Sequence, residues 1–161
     1  MGDISIDKRL SHAGMALRSL TQFHQHIITL EPDDTVLLSH GDATVRNVMF
    51  DATTNSVTWF DFDLRHDLTV SATARHADDL RAFLFSAAHY FSMEDLPDLV
   101  RVARENYSDS KVWVELSKQV SSPWFRFDLF HLAHTLPPKH KANQQRSPCL
   151  LYTSPSPRDR G

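Results

Sequence analysis

Cysteine is almost absent from this 161-residue chain: Cys149 is the only one, which excludes a disulfide framework and a thiolate metal site. Glycine is scarce as well, and none of the four forms a loop that would cradle a phosphate. No stretch approaches the ~18 uninterrupted apolar residues that a membrane span requires. Basic residues hold no majority, with 17 Lys and Arg against 20 Asp and Glu and a net charge of -3. That balance gives no electrostatic footprint for nucleic acid or an anionic membrane. Residues 1–7 have neither the basic head nor the apolar run of a secretory signal, and Gly2 lacks the Ser/Thr placement of a myristoylation site. A cytoplasmic protein is expected. What is present is ordinary for a globular protein, 41% apolar and 23% charged, in a length suited to one domain with a real core.

Apolar residues at Leu10, Ala13, Leu17, Leu20, Phe23 or His24, and Ile27 predict an amphipathic helix over 7–28. Gly14 weakens it by roughly 1 kcal/mol relative to Ala, too little to cancel the pattern. Pro32 stops it and biases Glu31 toward extended conformations, and Val36-Leu37-Leu38 reads as a very short buried strand or turn. Val48-Met49-Phe50 and Val57-Thr58-Trp59-Phe60 are rich in β-branched and aromatic residues and flank a polar turn at 51–56, which predicts a hairpin. The segment 64–75 has no period and reads as an extended loop. Leu80, Phe83, Leu84, Ala87, Ala88 and Phe91 then line a helix over 76–91, with Asp78 and Asp79 in its first turn complementing the dipole. Further helices are expected over 95–107, with Leu96, Leu99, Val100, Ala103 and Tyr107 inward and Pro97 in the first turn, and over 111–120 and 123–134. The fold class is α+β, mostly α.

The chain's chemistry gathers in one stretch. Ser39-His40-Gly41-Asp42-Ala43-Thr44-Val45-Arg46-Asn47 places an Asp and an Asn five apart in a short loop at the foot of the first hairpin strand. The second strand returns to Asp61-Phe62-Asp63, and an antiparallel return sets Asp61 beside Asn47. A lone His-Gly-Asp is commonly a turn. The ordered series of Asp, Asn, strand, turn, strand and Asp-Phe-Asp is not predicted by that reading.

The loop His40–Asn47 resembles the catalytic loop of the kinase-like phosphotransferases, and His-Gly-Asp in place of His-Arg-Asp is similar to their aminoglycoside phosphotransferase and choline kinase branch. Asp61-Phe62-Asp63 looks like the metal motif that protein kinases write as Asp-Phe-Gly. The resemblance covers about residues 7–137, with its specific motifs confined to 40–63. It implies a kinase-like C-terminal lobe over 1–138, one β-hairpin carrying the motifs, ATP and Mg²⁺ as cofactors, and transfer of the γ-phosphate to a hydroxyl, with a small-molecule substrate favoured. Asp42 would accept or orient the hydroxyl proton, a role typically worth ~10²–10⁴-fold. Asp61 and the amide oxygen of Asn47 would hold Mg²⁺, a hard cation that takes oxygen ligands. Asp63, standing where protein kinases have Gly, would be an additional or supporting metal ligand. His40 would fix the loop by packing and hydrogen bonding. Met49 and Phe60 match positions of the adenine floor, or else are hairpin core. Asp79 resembles the buried Asp that ties down the catalytic loop, though helix capping explains it nearly as well.

The resemblance also brings out what is missing. The nucleotide lobe of that family has a Gly-rich loop and a strand-borne Lys paired with a helical Glu, and the 39 residues before His40 read as one helix instead. The expectation is a lobe from a truncated gene model, whose partner would be the N-terminal lobe of the same enzyme. Residues 139–161 read as a disordered tail. The run from Cys149 to Asp159 resembles a translated sequencing-library adapter, which implies that about 149–161 are artefactual. Three other readings stand against the kinase one. A binuclear metallophosphoesterase would need Asp-x-His upstream and Gly-Asn-His downstream, and neither occurs. The ten histidines include no His-Glu-x-x-His. A pseudokinase-like binding module is the serious rival, and a protein kinase-like enzyme is the nearer variant. Neither nucleic acid nor a membrane is an expected partner.

Overall fold

The computed structural model describes residues 4–31 and 34–121. Its first element, α1 (Ile6–His24), starts at Ser5, whose hydroxyl accepts the Lys8 N–H at 3.4 Å. The predicted apolar stripe is the buried one: Ala13, Ala16, Leu17 and Leu20 face inward and His24 closes the row. The helix nevertheless stops four residues short of the predicted end. The Gln25 N–H turns back to the Gln22 and Phe23 carbonyls, and Ile27–Glu31 becomes a strand, β1, paired antiparallel with β2 (Asp34–Leu37). Ile27 lies opposite Leu37 and is 64% exposed, so it belongs to a ladder and not to the helix face. The two consecutive β-branched residues find strand partners in Val36 and Leu37, and the Leu38 N–H extends the pairing to the His26 carbonyl at 3.0 Å.

The predicted hairpin forms between β3 (Val48–Asp51) and β4 (Ser56–Trp59), with Val48 opposite Trp59 and Phe50 opposite Val57. Asp51 organises the turn by accepting the Thr53 and Thr54 N–H groups and the Thr54 hydroxyl, and these bonds hold its carboxyl below the usual range. Because strand side chains alternate, Val48, Phe50, Val57 and Trp59 share the inner face, while Met49 and Thr58 share the outer one with Phe60 just beyond.

The helix α2 (Ala72–Ala88) begins four residues earlier than predicted, with Ser71 as its N-cap accepting the Ala74 N–H at 3.3 Å. Asp78 and Asp79 therefore lie in its second turn and beyond, and neither caps it. The early turns carry Arg75 and His76, which are buried polar residues and so escape an apolar pattern. The next two helices, α3 (Leu96–Asn106) and α4 (Ser110–Ser121), match their predictions, with Pro97 in the first turn of α3; Val100 is exposed where an inward position was expected. α1 packs on α3, α2 packs on α4, and Leu17, Leu20, Leu80, Phe83, Leu99, Tyr107 and Val112 form the common core. Gly14 has a packing role besides its helical cost: a Cβ there would meet Asn106 at 3.2 Å and Val102 at 3.3 Å. The described residues are thus α+β and mostly helical, with two small antiparallel hairpins where one was expected. The helix predicted at 123–134 and the tail at 139–161 lie outside the described residues. Among those described, no helix is long and apolar enough to cross a membrane.

Candidate functional site

The loop at 38–44 is held from below by one carboxylate. Asp79, buried in the middle of α2, accepts the His40 N–H at 2.6 Å on Oδ2 and the Gly41 N–H at 2.9 Å on Oδ1. Charge-assisted bonds of this kind are about twice as strong as neutral ones. Asp79 also accepts the His24 Nε2–H at 3.0 Å, and the other His24 nitrogen takes the Tyr107 hydroxyl proton at 2.7 Å. Burial, with the Asp109 and Asp79 charges, pushes the Tyr107 phenol up, so it remains the donor. The flat face of His24 stacks on His76 at 4.0 Å and 3°. His76 in turn donates to the Leu38 carbonyl at 2.7 Å, and Arg75 donates to Leu37 at 2.9 Å. Three side chains of α2, backed by His24 of α1 and by Tyr107 just after α3, thereby fix Leu37, Leu38, His40 and Gly41.

Gly41 gives the loop its shape. Its φ is +89°, and a Cβ there would lie 2.2 Å from the Leu64 carbonyl oxygen. The chain carrying Asp61 and Asp63 passes directly against the glycine, a contact that only a hydrogen side chain permits.

His40 joins the two halves. It is buried; its Nδ1 accepts the Asp42 N–H at 3.3 Å and its Nε2–H donates to the Phe60 carbonyl at 3.1 Å, an assignment both partners require. Its ring packs against Phe62 at 4.4 Å and Trp59 at 5.4 Å. Burial pushes the imidazole below its usual range, against the opposing pull of Asp79, the Phe60 carbonyl, Asp42 and Asp61. His40 is therefore a neutral brace, and three carboxylates act on it.

Asn47 sits at the end of a single 3₁₀ turn, Val45–Asn47, that the Ser86 hydroxyl anchors by accepting the Val45 N–H at 3.0 Å. The Asn47 amide nitrogen donates twice to Asp42, to the carbonyl at 2.8 Å and to Oδ2 at 2.9 Å. Its Oδ1 and the Asp42 Oδ1 have no hydrogen bond among the described residues. The Asn47 carbonyl accepts the Phe60 N–H at 3.1 Å, which brings the following Asp61 alongside. Asp61 has φ of +64°, a left-handed conformation for a non-glycine residue; the other case among the described residues is Asn55, in the hairpin turn. Asp61 and Asp63 are exposed, and Asp63 enters no hydrogen bond among the described residues. Met49 and Phe60 are 40% and 43% exposed on the outer face of the hairpin, so neither is hairpin core.

Of the predicted residues, His40, Asp42, Asn47 and Phe60 are linked by hydrogen bonds, and Asp61 is near enough for its charge to act on His40. Among the described residues no three His, Cys, Asp or Glu side chains form a group that could hold a metal ion. Two sets of polar residues were missed in the sequence. One is the His24–His76–Tyr107 support just described. The other is His66, which bonds Ser39 Oγ at 3.0 Å and Asp78 Oδ2 at 3.1 Å, while Asp78 pairs with Arg81. The only signal available was a polar residue at an apolar position of a helical stripe, as at His24. Comparison with protein-family models, with curated proteins and with solved structures finds no match to this chain.

Proposed function

We propose that this chain is the catalytic lobe of an ATP- and Mg²⁺-dependent phosphotransferase of the kinase-like superfamily, acting on the hydroxyl of a small molecule. The observation that carries the reading is the Asn47–Asp42 pairing. One amide uses its nitrogen to orient a carboxylate, which leaves an amide oxygen for a cation and a carboxylate oxygen for a hydroxyl. Phosphoryl transfer asks for little covalent help and much alignment, and a loop clamped through Asp79, His40 and Gly41 suits that demand.

Asp42 orients the attacking hydroxyl and takes its proton. Asn47, Asp61 and Asp63 offer hard oxygens only. Mg²⁺ is commonly bound by one or two carboxylates with waters and substrate phosphates completing its shell, so this donor set fits it without a third acidic or imidazole group. When bound, the ion would neutralise the charge on the phosphates. His40, neutral and braced between Asp42 and the Phe60 carbonyl, keeps the proton-accepting and metal-holding halves at fixed separation. Met49 and Phe60 present an apolar outer face suited to a purine. The cover over the nucleotide would come from an N-terminal lobe. A pseudokinase-like binding module is the second reading, favoured by the exposed apolar side chains that follow Trp59, which suit a protein partner as well.

The test is ATP consumption by the chain extended upstream in its genomic reading frame, with Asp42→Asn and Asp61→Ala alongside. A fall of at least ~10² in both variants is expected. Rates equal to wild type in both would remove the assigned roles, and no Gly-rich hairpin or strand Lys upstream would favour the binding module.

A further inference from the structure

We propose that a second site, behind the β3–β4 hairpin, binds a free aliphatic carboxylate of medium chain length. A cavity of about 240 Å³ lies between the first half of α1, the inner face of the hairpin and the C-terminal end of α2. Phe50, Phe83 and Phe91 give it apolar walls, and the charged or imidazole side chains lining it are Lys8, Arg9 and His12, with no carboxylate among them. In a chain of net charge -3, that is a local reversal of sign.

Neither Lys8 nor Arg9 has a carboxylate partner among the described residues. Arg9 donates to the Tyr90 carbonyl at 2.7 Å and lies 5.8 Å from the Phe91 ring centre, but its buried Nε–H has no hydrogen-bond partner among the described residues. An unpaired buried donor on a guanidinium is costly, and a carboxylate is the partner that best matches its geometry. His12 stacks on Phe50 at 4.5 Å, and partial burial together with the Lys8 charge holds its pKa below the ordinary value. Lys8 is exposed, so the cationic edge is the solvent edge. An apolar interior with a cationic rim selects an amphiphile with an anionic head. The volume is below the ~300–1,000 Å³ of sites for drug-sized ligands, which selects one short chain over a diacyl lipid or a peptide helix. The inference stands apart from the phosphotransferase reading and uses none of its residues.

Titration calorimetry on the full chain tests it with hexanoate, octanoate and decanoate, with octanol as the uncharged control. Affinity should rise about fourfold for each added methylene until the cavity is full, and octanol should bind at least tenfold more weakly than octanoate. Lys8→Glu, at an exposed position, should weaken octanoate at least tenfold. Ala52→Trp, which fills the cavity from an exposed turn residue, should abolish binding, and both variants should unfold thermally like wild type. The proposal is overturned by equal binding of octanol and octanoate, by affinity independent of chain length, or by octanoate binding that both variants leave unchanged. It is overturned equally by the absence of heat with every ligand, the result if another segment of the chain occupies the cavity.

Discussion

A single hydrogen atom sets the geometry around Asp42. With φ of +89° and the Leu64 carbonyl 2.2 Å from where a Cβ would stand, Gly41 has no substitute among L-residues. Gly41→Ala should lose at least ~1–3 kcal/mol of stability, since both backbone strain and displacement of the 64–65 backbone oppose it. A urea midpoint within error of wild type would show that the loop accommodates a side chain after all. Asp79 makes the complementary case. Asp79→Asn keeps the shape, but an amide offers one oxygen and one NH₂ where two N–H donors need acceptors. The expected loss is roughly 2–4 kcal/mol, and amide exchange should quicken first at His40 and Gly41, the two backbone donors it holds. Exchange accelerated evenly through α1 and α3 instead would mean that Asp79 supports the core and has no particular hold on the loop.

At the scale of elements, α2 couples the loop to pH. His76 stacks on His24 and faces Asp79 and Arg75; burial first, then the neighbouring His24 imidazole, lowers its pKa to about 4. An unfolded histidine titrates near ~6.5. Between those values the unfolded chain binds a proton that the folded chain refuses, so stability is full above about pH 6.5 and falls as pH drops toward 4. The lowered pKa of His40 acts in the same direction. A loss of about 2–3 kcal/mol between pH 7 and pH 4.5 is expected from denaturant midpoints. His76→Gln, which keeps a donor for the Leu38 carbonyl, should flatten that slope; an unchanged slope would assign the effect to other groups. The same helix shows what was legible in the sequence. Its apolar face was readable from Leu80, Phe83 and Ala87, whereas its first turn was hidden because Arg75 is a buried polar residue whose partners, the Leu37 and Val70 carbonyls, lie outside the helix. The strand at Ile27 was hidden for the opposite reason: it continues the helical spacing of Leu20 and Phe23, and only pairing with Val36 and Leu37 makes it a strand. The hairpin and the order of His40, Asp42, Asn47 and Asp61 along it were readable because local alternation and turn chemistry determine them. The bonds that aim those groups come from Asp79, 39 residues beyond His40, and no short-range pattern carries that information.

Taken together, the described residues leave one segment of the surface unusually apolar. Phe60, Phe62, Leu64, Leu68 and Val70 are between 37% and 54% exposed within eleven consecutive residues, on the segment that passes Gly41. Scattered surface apolar residues need no explanation, but a concentration of this kind marks an interaction surface or a tendency to associate. No cation in that segment interrupts it except Arg65, and the acidic Asp61, Asp63 and Asp67 lie among the apolar positions. The face thus combines apolar area with negative charge beside the Asp42–Asn47 pair, the composition of an interaction surface. Uncovered, it should bring copies of the chain together at micromolar concentration in a salt-tolerant manner. Leu68→Lys combined with Val70→Lys should return the chain to a monomer by sedimentation velocity, and since both side chains are exposed the change in stability should stay within about 0.5 kcal/mol. Saturating Mg²⁺ and ATP should reduce association only in a chain that binds them on this face. Association unchanged by the double substitution would move the sticky surface elsewhere, with the exposed Ile27–Ile28 strand the next to test.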